Sequence, residues 1–279
     1  MADPRLTPAR GDIAARHLQG QVTAARFVDG ETLVVVDPIA PLRLQPHSGA
    51  EQATQALKGE RVTVYDRNGE GWAWGQLESD GYVGWLPEAA LAAPSAAPTH
   101  KISALRSFAF PGPSIKLPPL ETLLMGATIA VTREEASFVV THEGWFVPKQ
   151  HVVARDQREP DYVAVAERFV GTPYLWGGKS SLGIDCSGLV QVSLNAAGVP
   201  CPRDSDMQLA ALGRVLDGGE PLRRGDLIFW KGHVAIARDA DTMVHANAFH
   251  MATAIESVSA AIARIKATGS DVLAIKRLD

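Results

Sequence analysis

Several things are scarce in this chain. Basic side chains are not in excess, since 27 Lys and Arg stand against 31 Asp and Glu for a formal net charge of −4. That leaves no electrostatic footprint for nucleic acid. Cysteine occurs only twice, at Cys186 and Cys201, too sparsely for a disulfide scaffold. No run of about 18 apolar residues is present, so no membrane span is expected. The opening MADPRLTPARGD holds two prolines and four charged side chains and no apolar h-region, which does not read as a secretory signal. The expectation is therefore a monomeric cytoplasmic protein with both thiols reduced. Its partner should be a small molecule or peptide, with no membrane and no nucleic acid involved.

Metal and serine chemistry lack their usual marks as well. There is no C-x-x-C or H-E-x-x-H spacing for zinc and no G-x-S-x-G elbow around a serine. Neither a metal nor a cofactor is expected.

What the chain does have is length and ordinary globular composition. Its 279 residues, 46% hydrophobic and 21% charged, suffice for two or three domains. The segment APSAAPTH at 93–100 reads as a linker, and the sequence on its two sides looks repeated. Gly59-Glu60-Arg61-Val62-Thr63-Val64 followed by Gly84-Trp85-Leu86-Pro87 has a counterpart in Gly126-Ala127-Thr128-Ile129-Ala130-Val131 followed by Gly144-Trp145-Phe146-Val147-Pro148. Each copy runs from a turn glycine into a β-branched strand and through a hairpin to Gly-Trp and a proline, as in a small β-barrel. The expected organisation is an N-terminal tail (1–20), a first barrel (21–93), a linker (94–100), a second barrel (101–155) and an α+β domain (156–279).

In that last domain Asp161 and Asp185 are suited to cap helices that stop at Gly171 and Gly198. Strands are expected at 226–230, 233–237, 242–246 and near 272–278, giving one helix packed on an antiparallel sheet. Cys186 falls in the first turn of the second helix, where unpaired N–H groups favour a thiolate. It is either a buried small residue or a nucleophile, with its own N–H as an oxyanion donor. A nucleophilic thiol needs a base and a group to orient the base. His233 and His245 share a strand face if the loop around Asp239-Ala240-Asp241 has three residues, and face apart if it has two. Cys201, between two prolines, reads as structural.

In order and spacing, Tyr174-Leu175-Trp176-Gly177-Gly178, Asp185-Cys186-Ser187-Gly188-Leu189-Val190, Pro202-Arg203-Asp204-Ser205-Asp206-Met207-Gln208, Gly225-Asp226-Leu227, His233-Val234-Ala235-Ile236 and His245 resemble the NlpC/p60 cysteine peptidases. The β-rich repeats resemble bacterial SH3 (SH3b) domains. The resemblance implies a papain-like core and hydrolysis of the γ-D-glutamyl bond to an L-diamino acid, lysine or diaminopimelate, in murein peptides. It makes Cys186 the nucleophile, His233 the general base and His245 the residue that orients it. Tyr174, Asp185, Ser187, Arg203, Asp204 and Ser205 are implied at the substrate, although helix capping by Asp185 and, for Arg203, a salt bridge within its own turn are alternatives. Two SH3b-like domains with one peptidase domain look like cell-wall-recycling members, which take short peptides with a free N-terminal L-alanine. In those, an acid and a tyrosine of the first SH3b domain hold the ammonium, and Glu51 and Tyr82 match best. The competing expectations are a papain-like amidase or acyltransferase on another substrate, or a non-catalytic SH3b peptide-binding protein.

Overall fold

The structure is a computed structural model that describes residues 3–217 and 219–278. It divides into two compact units, one ending at Gln157 and the other starting at Arg158.

Both β-rich regions belong to the first unit. The first is an antiparallel sheet of seven strands: Glu31–Val35, Ile39–Arg43, Gln52–Leu57, Arg61–Arg67, Trp72–Leu77, Val83–Pro87 and Leu91–Ala92. It closes round a core that includes Leu33, Leu42, Val62, Leu77 and Leu86. The second is built from three short sheets around Ile102, Leu123, Ile129, Val139 and Val147. The repeat read from the sequence is real at the level of the chain path. Gly59 and Gly126 take φ of +82° and +93°, a region that only glycine enters freely, and each turns the chain into a strand. After Pro87 and after Pro148 the chain makes one 3-10 turn, Glu88–Ala90 and Lys149–His151, and then a short closing strand. Lys58 joins the two regions, 3.0 Å from Glu121 and 4.8 Å from the Trp145 ring centre.

Of residues 1–20, expected as a tail, the described residues 3–20 are structured. Ile13–Ala15 pairs in parallel with Arg26–Val28, and Ile13 is buried against Trp74 and Val83. One isoleucine in a polar stretch was too weak a signal to reveal this.

The second unit carries an antiparallel sheet of six strands: β1 (Arg214–Val215), β2 (Leu227–Trp230), β3 (His233–Ala237), β4 (Thr242–Asn247), β5 (Ala252–Ser257) and β6 (Ala274–Arg277), in the order β1-β6-β2-β3-β4-β5. Four helices accompany it among the described residues: α1 (Tyr162–Arg168), α2 (Cys186–Ala196), α3 (Ser205–Ala211) and α4 (Val258–Ala267). The sequence reading had one helix against the sheet, with neither β5 nor α4. Yet α4 shows Val258, Ala261, Ile262 and Ile265 at helical spacing, and these pack on the sheet face bearing Ile228, Trp230, Ala235 and Met243.

Helix α2 contains no charged residue, and Leu189, Val190 and Leu194 are at most 1% exposed. An apolar helix of this kind is a core helix, each such side chain stabilising by about 1.5–3 kcal/mol. It packs against β3 and β4 and against α1. Gly188 lets its first turn approach the Gly177-Gly178 loop, because a Cβ there would stand 2.3 Å from the Gly178 carbonyl oxygen. The N-terminus of α2 is thereby held at a fixed place beside the start of β3.

Candidate active site

Cys186 is the first residue of α2 and is 7% exposed. Its sulfur accepts the amide N–H of Val234, next to His233 on β3, so the helix start and the strand start meet at this thiol. Both cysteines are free.

The histidines come together as the three-residue loop requires. The Asp239 carboxylate accepts the amides of Asp241 (2.9 Å) and Thr242 (2.7 Å), and Arg238 N–H bonds to the Thr242 carbonyl at 2.8 Å. This Asx-type closure sets Ile236 opposite Val244, so His233 and His245 lie on one face. Their rings meet through His233 Nε2 and His245 Nδ1 at 2.9 Å. Trp230, paired with His233 across β2 and β3, lies over that ring at 5.6 Å between centres.

The far nitrogen of His245 reaches a residue the sequence reading missed. His245 Nε2 is 2.7 Å from Glu256 Oε1 on β5, and the same oxygen accepts from Arg264 on α4 at 2.5 Å. The Arg264 guanidinium in turn lies 4.1 Å from the Phe249 ring centre. The signal was faint: Glu256 is the one acid of β5, and it becomes informative only once β5 is paired with β4. His245, His250 and Glu256 offer three ligand atoms within 4.8 Å. The Arg264 cation on the shared carboxylate oxygen opposes a second cation there, so the arrangement fits a hydrogen-bonded relay better than a metal centre.

Burial, and the neighbouring Asp185 carboxylate, push the Cys186 thiol up to about 12. Burial chiefly, with the positive charge of Arg264 behind it, pushes His233 down to about 3, and His245 likewise to about 3. The helix N-terminus was expected to favour a thiolate; desolvation and the capping acid outweigh it. Both shifts favour the uncharged form, thiol for Cys186 and neutral imidazole for His233.

The residues expected at the substrate divide into three groups. Tyr174 is half-buried near the thiol, and burial with the Cys186 and Asp185 charges raises its hydroxyl above the usual value. Asp204 stands at the position before α3 without a capping side-chain hydrogen bond and Ser205 begins the helix, both partly exposed. Asp185, Ser187 and Arg203 form a buried network instead of facing outward. Arg203, 1% exposed, donates to Asp185 Oδ1 (2.9 Å) and Oδ2 (2.7 Å), Ser187 Oγ (2.9 Å) and the Gly178 carbonyl (3.2 Å). Asp185 also accepts the amides of Gly188 (2.7 Å) and Gly177 (2.8 Å). Asp185 thus caps α2, as one alternative has it, whereas the salt bridge of Arg203 runs to Asp185 at the start of α2 and not within its own turn. In the first unit Glu51 is exposed, whereas the Tyr82 ring is buried within the first barrel's core.

The sequence model described as the NlpC/P60 family matches residues 171–269, and that of the bacterial dipeptidyl-peptidase SH3 domain matches residues 42–91. A gamma-D-glutamyl-L-lysine dipeptidyl-peptidase of Bacillus subtilis is 30% identical, the match covering 69% of this chain and 71% of that protein. The chain belongs to the NlpC/P60 family of cysteine peptidases. A Bacillus cereus gamma-D-glutamyl-L-lysine dipeptidyl-peptidase is 31% identical, and there the match covers 69% of this chain and 66% of that protein, just under two thirds. Among solved structures, an NlpC/P60 family protein from Bacillus cereus superposes with a TM-score of 0.76 at 21% identity, over 88% of this chain and 99% of that one. The matched NlpC/P60 segment contains Cys186, His233, His245, Glu256 and Arg264.

Proposed function

We propose that this protein cuts the bond between γ-D-glutamate and an L-diamino acid in murein peptides by covalent catalysis at Cys186. The observation that carries the reading is the meeting of a thiol at a helix start with the hydrogen-bonded pair His233 and His245. The names of the Bacillus relatives support lysine as the diamino acid and release of a dipeptide ending in D-glutamate, with L-alanine as its first residue carried over from the family resemblance. They also support a requirement for a free N-terminal amine, as in short peptides recycled from the wall.

The chemistry follows from the neutral pair. As the sulfur attacks the γ-carbonyl carbon, its proton passes to His233 and the carbonyl electrons move onto oxygen. The Cys186 N–H and the Tyr174 hydroxyl are the proposed donors to that oxyanion. His233 then protonates the leaving α-amine of the diamino acid as the C–N bond breaks, which leaves an acyl thioester. Water attacks the thioester, gives one proton to His233, and the sulfur regains it on release of the dipeptide. Asp185, Ser187 and Arg203 support this site by fixing the start of α2, and Asp204 and Ser205 at the start of α3 are the proposed contacts to substrate.

The test is incubation of L-Ala-γ-D-Glu-L-Lys, and its N-acetylated and diaminopimelate counterparts, with wild type and Cys186→Ala. Release of L-Ala-D-Glu and lysine by the wild type alone is expected, with N-acetylation abolishing it. Equal turnover by the two proteins, or none on any murein peptide, would overturn the reading. A reactive thiol without murein turnover would favour an amidase of other specificity.

A further inference from the structure

His233 can act as base only through a ring nitrogen that carries no proton, and its Nε2 is committed to His245. Which of the two rings donates in that bond decides whether Nδ1 of His233 is bare. The bond itself is symmetric in its atoms and leaves the matter open.

Glu256 breaks the symmetry. Its Oε1 accepts from the Arg264 guanidinium, which can only donate. Contact with the same oxygen at 2.7 Å therefore requires a proton on Nε2 of His245. Neutral imidazole has one proton, so Nδ1 of His245 is bare and accepts from Nε2–H of His233. The proton of His233 is then on Nε2, and its Nδ1 is bare. Had His245 carried its proton on Nδ1, it would donate to His233, move that ring's proton to Nδ1 and block the base.

We infer that Glu256, held by Arg264, sets the direction of the proton wire through His245 and so fixes His233 as the tautomer that can accept the thiol proton. Glu256 and Arg264 are positioning residues, since they act through two rings. The groups around the His245 ring agree with this assignment. His233 lies on one side, Glu256 and Arg264 on the other, and His250 is 6.3 Å away between ring centres. His250 is itself held by Nδ1 to Asn247 Oδ1 at 2.9 Å. Arg264 also has its place fixed from behind, by the Phe249 ring.

This inference rests on the peptidase reading for its catalytic consequence, but the tautomer can be observed without substrate. Long-range proton–nitrogen NMR of the intact protein reads the protonation of each His233 nitrogen, assigned by comparison with His233→Asn. The wild type should show a protonated Nε2 and bare Nδ1. Glu256→Ala should populate the opposite tautomer, whereas Glu256→Gln, which keeps an acceptor oxygen, should retain the wild-type pattern. In turnover, Glu256→Ala should lower kcat roughly 10–100-fold with KM nearly unchanged, as for other groups that orient a catalytic ring, and Glu256→Gln should recover most of it. A protonated Nδ1 on His233 in the wild type, or Glu256→Ala leaving the tautomer and kcat as they were, would overturn the inference. Absence of murein turnover in the wild type would defeat the peptidase reading and leave the NMR result standing. If Glu256→Ala does not fold, Glu256→Met, which fills the same space without an acceptor oxygen, carries the same NMR test with the same expected loss of the wild-type tautomer.

Discussion

Replacing Arg203 with methionine separates a buried strut from a substrate reader. The guanidinium makes four hydrogen bonds, two of them to the Asp185 carboxylate at 2.9 and 2.7 Å, and is 1% exposed. Breaking a buried ion pair by removing one partner costs about 3–5 kcal/mol, because the remaining charge loses its compensation. Asp185 would keep the amides of Gly177 and Gly188 at 2.8 and 2.7 Å, which places the expected loss near the lower limit, about 3 kcal/mol. For a unit of this size that lowers the transition by on the order of 10 °C. The assay is denaturant unfolding of wild type, Arg203→Met, Asp185→Asn and the double variant. Removing both charges eliminates the uncompensated carboxylate, so the double variant should be more stable than the sum of the single losses predicts, by about 2 kcal/mol or more. If Arg203 instead reads a substrate carboxylate, Arg203→Met should raise KM steeply with a stability change under about 1 kcal/mol. That result, or strict additivity, would refute the strut.

Two further predictions concern the thiol and its helix. With Cys186 raised to about 12 and His233 lowered to about 3, neither titrates between about pH 5 and pH 9, so kcat/KM should be flat there. The base is lost only as pH falls through the His233 value, and the thiol ionises only as pH rises through its own. The difference in far-ultraviolet thiolate absorbance between wild type and Cys186→Ala should accordingly be absent at neutral pH; a thiolate band, or a falling limb near pH 8, would show an ion pair at rest. Gly188→Ala would set a Cβ 2.3 Å from the Gly178 backbone oxygen, and backbone on both sides leaves little room to relax. Activity should fall at least tenfold with a lowered melting temperature, and an unchanged crystal structure and rate would contradict the close packing described.

The sequence made the placement of Cys186 at a helix start and of His233 and His245 on one strand face legible because their cues are local. Asp185 as a cap and Gly198 as a stop delimit α2, and Asp239 with Asp241 mark a turn whose length decides the parity of His233 and His245. The outer half of the relay was not legible. Glu256 becomes significant only by pairing of β5 with β4, a tertiary event, and β5 has an alternation of alanine and polar residues too weak to declare a strand. Arg264 depends in turn on α4 docking over that strand. Burial was likewise hidden. A helix N-terminus lowers a thiol's pKa and desolvation raises it, and sequence shows only the first. In the same way Arg203 reads as a polar turn residue until the chain closes over it. The two β-rich regions repeat through a turn glycine and the 3-10 turn and short strand that follow each proline, features that recur although the second copy is shorter.

The central claim is that Cys186 attacks a γ-glutamyl carbonyl. Acid quenching of a reaction with L-Ala-γ-D-Glu-L-Lys, followed by peptide mass spectrometry, tests it most directly. An L-alanyl-γ-D-glutamyl group is expected on the peptide containing Cys186, accumulating in His233→Ala to a lesser extent or not at all. Turnover with the acyl group on another residue, or turnover that persists in Cys186→Ala, would contradict it.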